Sequence, residues 1–71
     1  MAKLPRVNAA KMVRALVREG FSKRRQVGSH LTLRRDSDRV RVVVPMHPGD
    51  LPVYVVHSVL KQAGLTPDIF S

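Results

Sequence analysis

The chain has 71 residues, enough for one small domain with a modest core. It contains no cysteine, which excludes disulfides and thiolate metal sites. No signal-peptide apolar region and no apolar run of membrane-spanning length is found, so we expect a cytoplasmic protein with no membrane partner.

The charge is strongly positive and unevenly distributed. Thirteen Lys and Arg against five Asp and Glu give a net charge of +8. Twelve of these cations and three of the acids fall within residues 1–41, which gives that part +9 and the remainder −1. Such asymmetry indicates a polyanionic partner, either nucleic acid or an acidic protein. A basic surface that is merely solvated is the alternative.

The first predicted element is a helix from Ala9 to Glu19. Residues 1–7 are basic, contain a proline and lack periodicity, so we expect a flexible leader. Asn8 is a good N-cap, and Gly20 ends the helix. Apolar residues recur at helical spacing and form one stripe, which we expect to face the core: Ala9, Met12, Val13 and Leu16.

Three short strands are predicted next, joined by tight turns. They comprise Ser22–Val27, His30–Arg34 and Val40–Val44, with turns at Gly28-Ser29 and at residues 36–38. In the middle strand, Leu31 and Leu33 share one face, so His30 lies on the other.

A second helix is predicted from Pro52 to Ala63, ended by Gly64, with Asp50 as a candidate cap. The order α-β-β-β-α predicts a single α+β domain over residues 1–71. It has a three-stranded antiparallel sheet with both helices on the face that carries Leu31 and Leu33. This architecture is like that of a double-stranded-RNA-binding domain, and it leaves His30 on the uncovered face.

The histidines are the candidate chemical groups. His30, His47 and His57 are seventeen and ten residues apart, without a close pair, so a metal site is not expected and no cofactor is implied. We expect His47 to be a structural loop residue and His57 to be solvated. The chain also lacks a phosphate-binding glycine loop and a serine nucleophile motif.

Acid–base catalysis by one histidine near cations fits RNA strand scission. The 2′-hydroxyl must lose a proton, the leaving oxygen must gain one, and the phosphorane carries extra negative charge. Histidine can act as base or acid near neutrality, which makes His30 the candidate. Arg34, Arg25 or Lys23 can offset the developing charge. A solvated histidine without a catalytic role fits these residues equally well.

Several motifs, taken in order, resemble the HicA-type toxins, the mRNA interferases of HicA–HicB toxin–antitoxin systems. The matching pieces cover most of the chain: Gly20-Phe21, Arg25-Gln26, Gly28-Ser29-His30, Val43-Val44-Pro45, His47-Pro48 and Leu60-Lys61-Gln62-Ala63-Gly64-Leu65. The resemblance implies the fold given above, a catalytic role for His30, and a HicB antitoxin that covers the site. Two departures are Leu31, where many members have a second histidine, and Tyr54-Val55, where many have Gly-Thr.

Five cations near the histidine are the predicted RNA-binding residues: Lys23, Arg24, Arg25, Arg34 and Arg35. They can equally form the patch that an acidic antitoxin grips. Tyr54 can stack on a base, although packing is the simpler role for a lone tyrosine. The sequence thus predicts a metal-independent mRNA endonuclease toxin. The competing function is a non-catalytic RNA-binding module or a degenerate toxin.

Overall fold

The computed structural model describes residues 4–71 and has the predicted α-β-β-β-α order. Its elements are α1 (Ala9–Arg18), β1 (Phe21–Val27), β2 (His30–Arg35), β3 (Val40–Pro45), α2 (Val53–Ala63) and a 3₁₀ turn (Pro67–Phe70). The strands form one antiparallel sheet in the order β1-β2-β3. The predicted fold class is therefore confirmed, and β2 is the central strand.

The alternation in β2 determines which face of the sheet is covered. Leu31 and Leu33 are buried and belong to one core cluster with Val42 and Val44 of β3. Helix α1 packs against β1 and β3, and α2 packs against β3, on that same face. The other face is covered by no element among residues 4–71.

Helix α1 is held at both ends by polar contacts. The Asn8 side chain accepts a hydrogen bond from the Lys11 backbone N–H at 2.8 Å, as an N-cap residue should. At the other end, the Arg18 guanidinium donates to the Ile69 carbonyl at 2.9 Å. This contact fastens the C-terminal 3₁₀ turn to α1.

Val7, in the segment over residues 1–7 that is predicted to be a flexible leader, belongs to the core. Val7 is only 1% exposed, and its carbonyl accepts a hydrogen bond from the Leu51 N–H at 2.7 Å. Leu4 packs against the core as well. Residues 1–3 lie outside the described residues. Val7 thus joins the core because the Leu51 segment, distant in sequence, supplies both its partner and its cover.

Helix α2 begins without a side-chain cap. Its N-cap position is Pro52, whereas Asp50, the candidate cap, lies 3.8 Å from Arg6 in an ion pair. Tyr54 in the first turn is 76% exposed, so the expected packing role is wrong for this side chain. Neither helix of the described chain has the length and apolar character needed to cross a membrane.

Candidate nucleic-acid interface on the open sheet face

His30 is positioned by a two-residue hairpin turn. Gly28 has φ +58°, in the left-handed region that favours glycine. The Gly28 carbonyl accepts a hydrogen bond from the Gln26 side chain at 3.1 Å, and the Ser29 carbonyl accepts one from the Met46 N–H. These contacts hold the turn between β1 and the end of β3, and His30 emerges exposed at the first position of β2.

We define the open face as the sheet side chains that point away from both helices. Residues directly opposite one another on neighbouring strands share a face, so the strand register arranges this face in three rows. The rows are Val27-His30-Pro45, then Arg25-Thr32-Val43, then Ser22-Arg34-Arg41. The histidine row is otherwise apolar, and the last row is basic.

A β-bulge in β1 decides which cations reach the open face. The register shifts between Lys23 and Arg25, so Arg24 is an extra residue in the strand. Arg24 and Arg25 therefore both line the open face, whereas Lys23 lies opposite Leu33 and contributes to a concavity beside α1. The bulge thus separates Lys23 from the two neighbouring arginines with which it is grouped in the predicted RNA site.

Four arginines surround Thr32 on the open face. They line a shallow concavity of about 280 Å³ and comprise Arg24, Arg25, Arg34 and Arg41. Only Arg34 has a carboxylate near it, with its Nε 3.4 Å from Asp36 Oδ1, and that Nε makes no hydrogen bond in the structure. Within residues 4–71, no ion pair involves the other three arginines. The concavity is therefore strongly electropositive. We call these four residues the arginine cluster.

Arg41 was missed by the sequence-based site prediction. It alternates with the buried Val42 and Val44, and this pattern already places it on the exposed side of β3. Its position opposite Arg34 depends on the register of β2 with β3, which the sequence does not specify.

Arg35, which is also a predicted RNA-binding residue, does not belong to the arginine cluster. It lies on the helix side and donates to both carboxylate oxygens of Asp38, at 3.0 and 2.8 Å, and to the Ala63 carbonyl at 3.0 Å. Its guanidinium also lies 4.7 Å from the centre of the Phe21 ring. The hydrogen bonds to Asp38 raise the pKa of Arg35, and the same bonds lower the pKa of Asp38. The Arg35 guanidinium is thus held by contacts within the fold.

The spacing of the rows along β2 shows which arginines lie nearest to His30. Arg25 lies in the next row, about 7 Å along the strand at the usual rise of 3.4 Å per residue. Arg34 and Arg41 lie one row further, at about 14 Å by the same rise. Arg25 is therefore the cation placed nearest to the histidine on this face.

The other two histidines lie away from the open face. His47 belongs to a concavity beside the start of α1, and His57 is exposed on α2 in the helix layer. In the part of the chain that the structure describes, no three metal-ligating side chains cluster together. Of the three histidines, all of which are described, His30 alone shares a face with the arginine cluster.

Comparison with known proteins relates the chain to a toxin family. A family model described as the HicA toxin of bacterial toxin–antitoxin matches residues 9–65. A search of curated proteins found no match. The matched range begins at the start of α1, ends just beyond α2, and includes His30 and the arginine cluster.

Proposed function

Because the chain belongs to the HicA toxin family of bacterial toxin–antitoxin systems, we propose that it is an endoribonuclease that cuts mRNA with His30 as its acid–base residue. The observation that carries this proposal is the placement of an exposed histidine on the same uncovered face as four arginines. An RNA backbone lying on this face would meet a proton-transfer group and cations together.

The proposed reaction is a transesterification within the RNA backbone. The 2′-oxygen forms a bond to the adjacent phosphorus, and the bond from phosphorus to the 5′-oxygen breaks. The 2′-hydroxyl proton leaves to a base, and the 5′-oxygen receives a proton, so the products end in a 2′,3′-cyclic phosphate and a 5′-hydroxyl. His30 performs one of these transfers, a contribution of about 10²–10⁴-fold for one positioned group.

The phosphorane formed during attack carries more negative charge than the ground-state phosphate. A cation aimed at it stabilises the transition state more than the bound substrate. Arg25 is assigned this role because its row is adjacent to the row of His30. The exposed Arg25 side chain can extend toward the phosphate at His30 without movement of the sheet.

A toxin–antitoxin system implies an antitoxin partner, which we propose is a HicB-type protein. The open face presents both the histidine and the cluster of positive charge, so an acidic surface placed there would block substrate and neutralise charge together. The antitoxin would then compete with RNA for the open face.

A non-catalytic RNA-binding module is the second candidate function. It is favoured by the distance between His30 and the basic row, since Arg34 and Arg41 can bind RNA without involving the histidine. The endoribonuclease requires His30 for proton transfer, whereas the binding module does not require it.

The test is expression in a host that lacks the antitoxin. Wild type, His30→Ala and His57→Ala are induced, and growth and transcript integrity are followed. His57 provides the matched control because it is an exposed histidine in the helix layer. We expect wild type and His57→Ala to arrest growth and cleave transcripts, and His30→Ala to do neither. Toxicity and cleavage that survive His30→Ala would overturn the catalytic assignment. A wild type that binds RNA without cutting it would establish the binding module.

A further inference from the structure

The open face has two chemically different ends. At one end His30 lies between Val27, 61% exposed, and Pro45. At the other end are Arg34 and Arg41, two rows away. A phosphate in contact with the histidine is too far along the strand to occupy the far end of the arginine cluster. Arg34 and Arg41 must therefore serve a different group from the one that reacts.

The composition of the cluster indicates an anionic ligand. Four guanidinium groups share one nearby carboxylate, that of Asp36, so their mutual repulsion is poorly compensated in the free protein. Binding of an anion would relieve this repulsion.

The chemistry of the cluster favours phosphates on a continuous chain. Guanidinium groups match phosphate oxygens in paired, planar geometry. An RNA strand that places one phosphate at His30 necessarily carries others at fixed intervals along its backbone. Between the two ends lie Thr32 and Val43, the latter 42% exposed, which offer a hydroxyl and an apolar contact to a ribose or base.

The RNA on this face is inferred to be single-stranded at the cut. Attack by the 2′-oxygen requires it to lie in line with the leaving 5′-oxygen, and base pairing in an A-form duplex opposes the backbone rotation that achieves this. Charge also favours the sheet over α2 as the path, because Lys61 is the only Lys or Arg in residues 42–71, which include all of α2. A strand lying along β2 meets both ends of the open face.

We propose that Arg24, Arg34 and Arg41 form a distal phosphate subsite, which holds single-stranded RNA one or two nucleotides from the bond that His30 cleaves. This inference rests on the proposed function. The subsite binds substrate without touching the reacting phosphate, so it lowers KM for RNA that extends beyond the cut. Arg41 is the most informative member, because it has no ion pair within residues 4–71 and lies in the row furthest from His30.

The test compares short and extended substrates with Arg41→Gln, Arg34→Gln and the matched control Arg14→Gln. Arg14 is exposed on α1, so its substitution removes the same charge from the helix layer. Substrates are a dinucleotide with one scissile bond and the same dinucleotide extended on the 5′ or the 3′ side. We expect extension on one side to lower KM for wild type. Each cluster variant should raise KM for that substrate roughly tenfold, the value of one charge-assisted hydrogen bond. This rise in KM should exceed any change that the same variants cause in cleavage of the dinucleotide.

A second measurement is independent of catalysis. Fluorescence anisotropy of a labelled RNA octamer is measured with His30→Ala protein, with and without Arg41→Gln or Arg14→Gln. We expect Arg41→Gln to weaken binding roughly tenfold and Arg14→Gln to weaken it much less. If wild type never cuts RNA but this difference holds, the proposed nuclease fails while the subsite stands. Equal losses for Arg41→Gln and Arg14→Gln would overturn the subsite. Unchanged RNA affinity with weakened capture of the purified antitoxin would also overturn it and assign the cluster to the protein partner.

Discussion

Arg34 and Arg35 are consecutive in β2, yet their guanidinium groups lie on opposite faces of the sheet. Arg34 lines the concavity of the open face, whereas Arg35 is bound to Asp38 and to the carbonyl of Ala63. The pleat of the strand makes this separation unavoidable, because neighbouring side chains alternate between faces. One arginine is available to a ligand, and the other joins β2 to the end of α2.

Substitution of Arg35 should destabilise the fold. Arg35→Ala removes its hydrogen bond to Ala63 and its contact with the Phe21 ring, so we expect a loss of about 1–3 kcal/mol in the free energy of unfolding. Arg35→Lys should recover only part of this, because an ammonium lacks the planar fork. Urea unfolding measures both values, with Arg41→Gln as the control. A loss for Arg41→Gln equal to that for Arg35→Ala would contradict the structural role of Arg35.

Acid should weaken the contact that Arg35 makes with Asp38. Hydrogen bonds from Arg35 hold the pKa of Asp38 below its ordinary value of about 3.8, so the folded state binds this proton more weakly than the unfolded state. The resulting stability is present above that ordinary value and is lost as pH falls toward the lower folded pKa. We expect thermal unfolding of Asp38→Asn to depend less on pH below about 4 than that of wild type. If the unfolding temperatures of the two proteins change equally with pH, the contact between Arg35 and Asp38 does not contribute to the pH dependence.

Cleavage should not require a divalent metal. The proposed reaction uses His30 and arginine side chains, so we expect cleavage to persist in EDTA. The products should carry 2′,3′-cyclic phosphate and 5′-hydroxyl ends, which end-specific enzymatic labelling distinguishes. Loss of activity in EDTA that is restored by Mg²⁺ would contradict the mechanism, as would products with 5′-phosphate ends.

RNA affinity should fall steeply with ionic strength. Each phosphate contact on a single strand contributes about −0.7 to the slope of log K against log salt concentration. Arg41→Gln should therefore reduce the magnitude of that slope by about 0.7, whereas Arg14→Gln should change it little. Titrations of labelled RNA at several salt concentrations provide the measurement. A wild-type affinity that is flat with salt would mean that the arginine cluster does not bind phosphates.

The sequence by itself determined the order of the elements and the face on which His30 lies. Helical spacing in α1, alternation in β2 and the Gly28-Ser29 turn are local signals, so each can be read without knowledge of the remaining chain. The strand parity of Leu31 and Leu33 placed the histidine away from the core, and burial of both leucines in the structure agrees. The motifs around His30 and at the end of α2 are also local in sequence, so they indicated the family without knowledge of the structure.

Only the tertiary structure decided which cations share a face with the histidine. The bulge at Arg24 interrupts the alternation of β1 and turns Lys23 to the helix side, and the register of β3 brings Arg41 opposite Arg34. Arg35 is withdrawn from the surface because Asp38 and Ala63, one nearby and one 28 residues away, meet at its guanidinium. Register, bulges and long-range contacts depend on how the strands and helices pack together, and a linear pattern of residue types does not encode them locally.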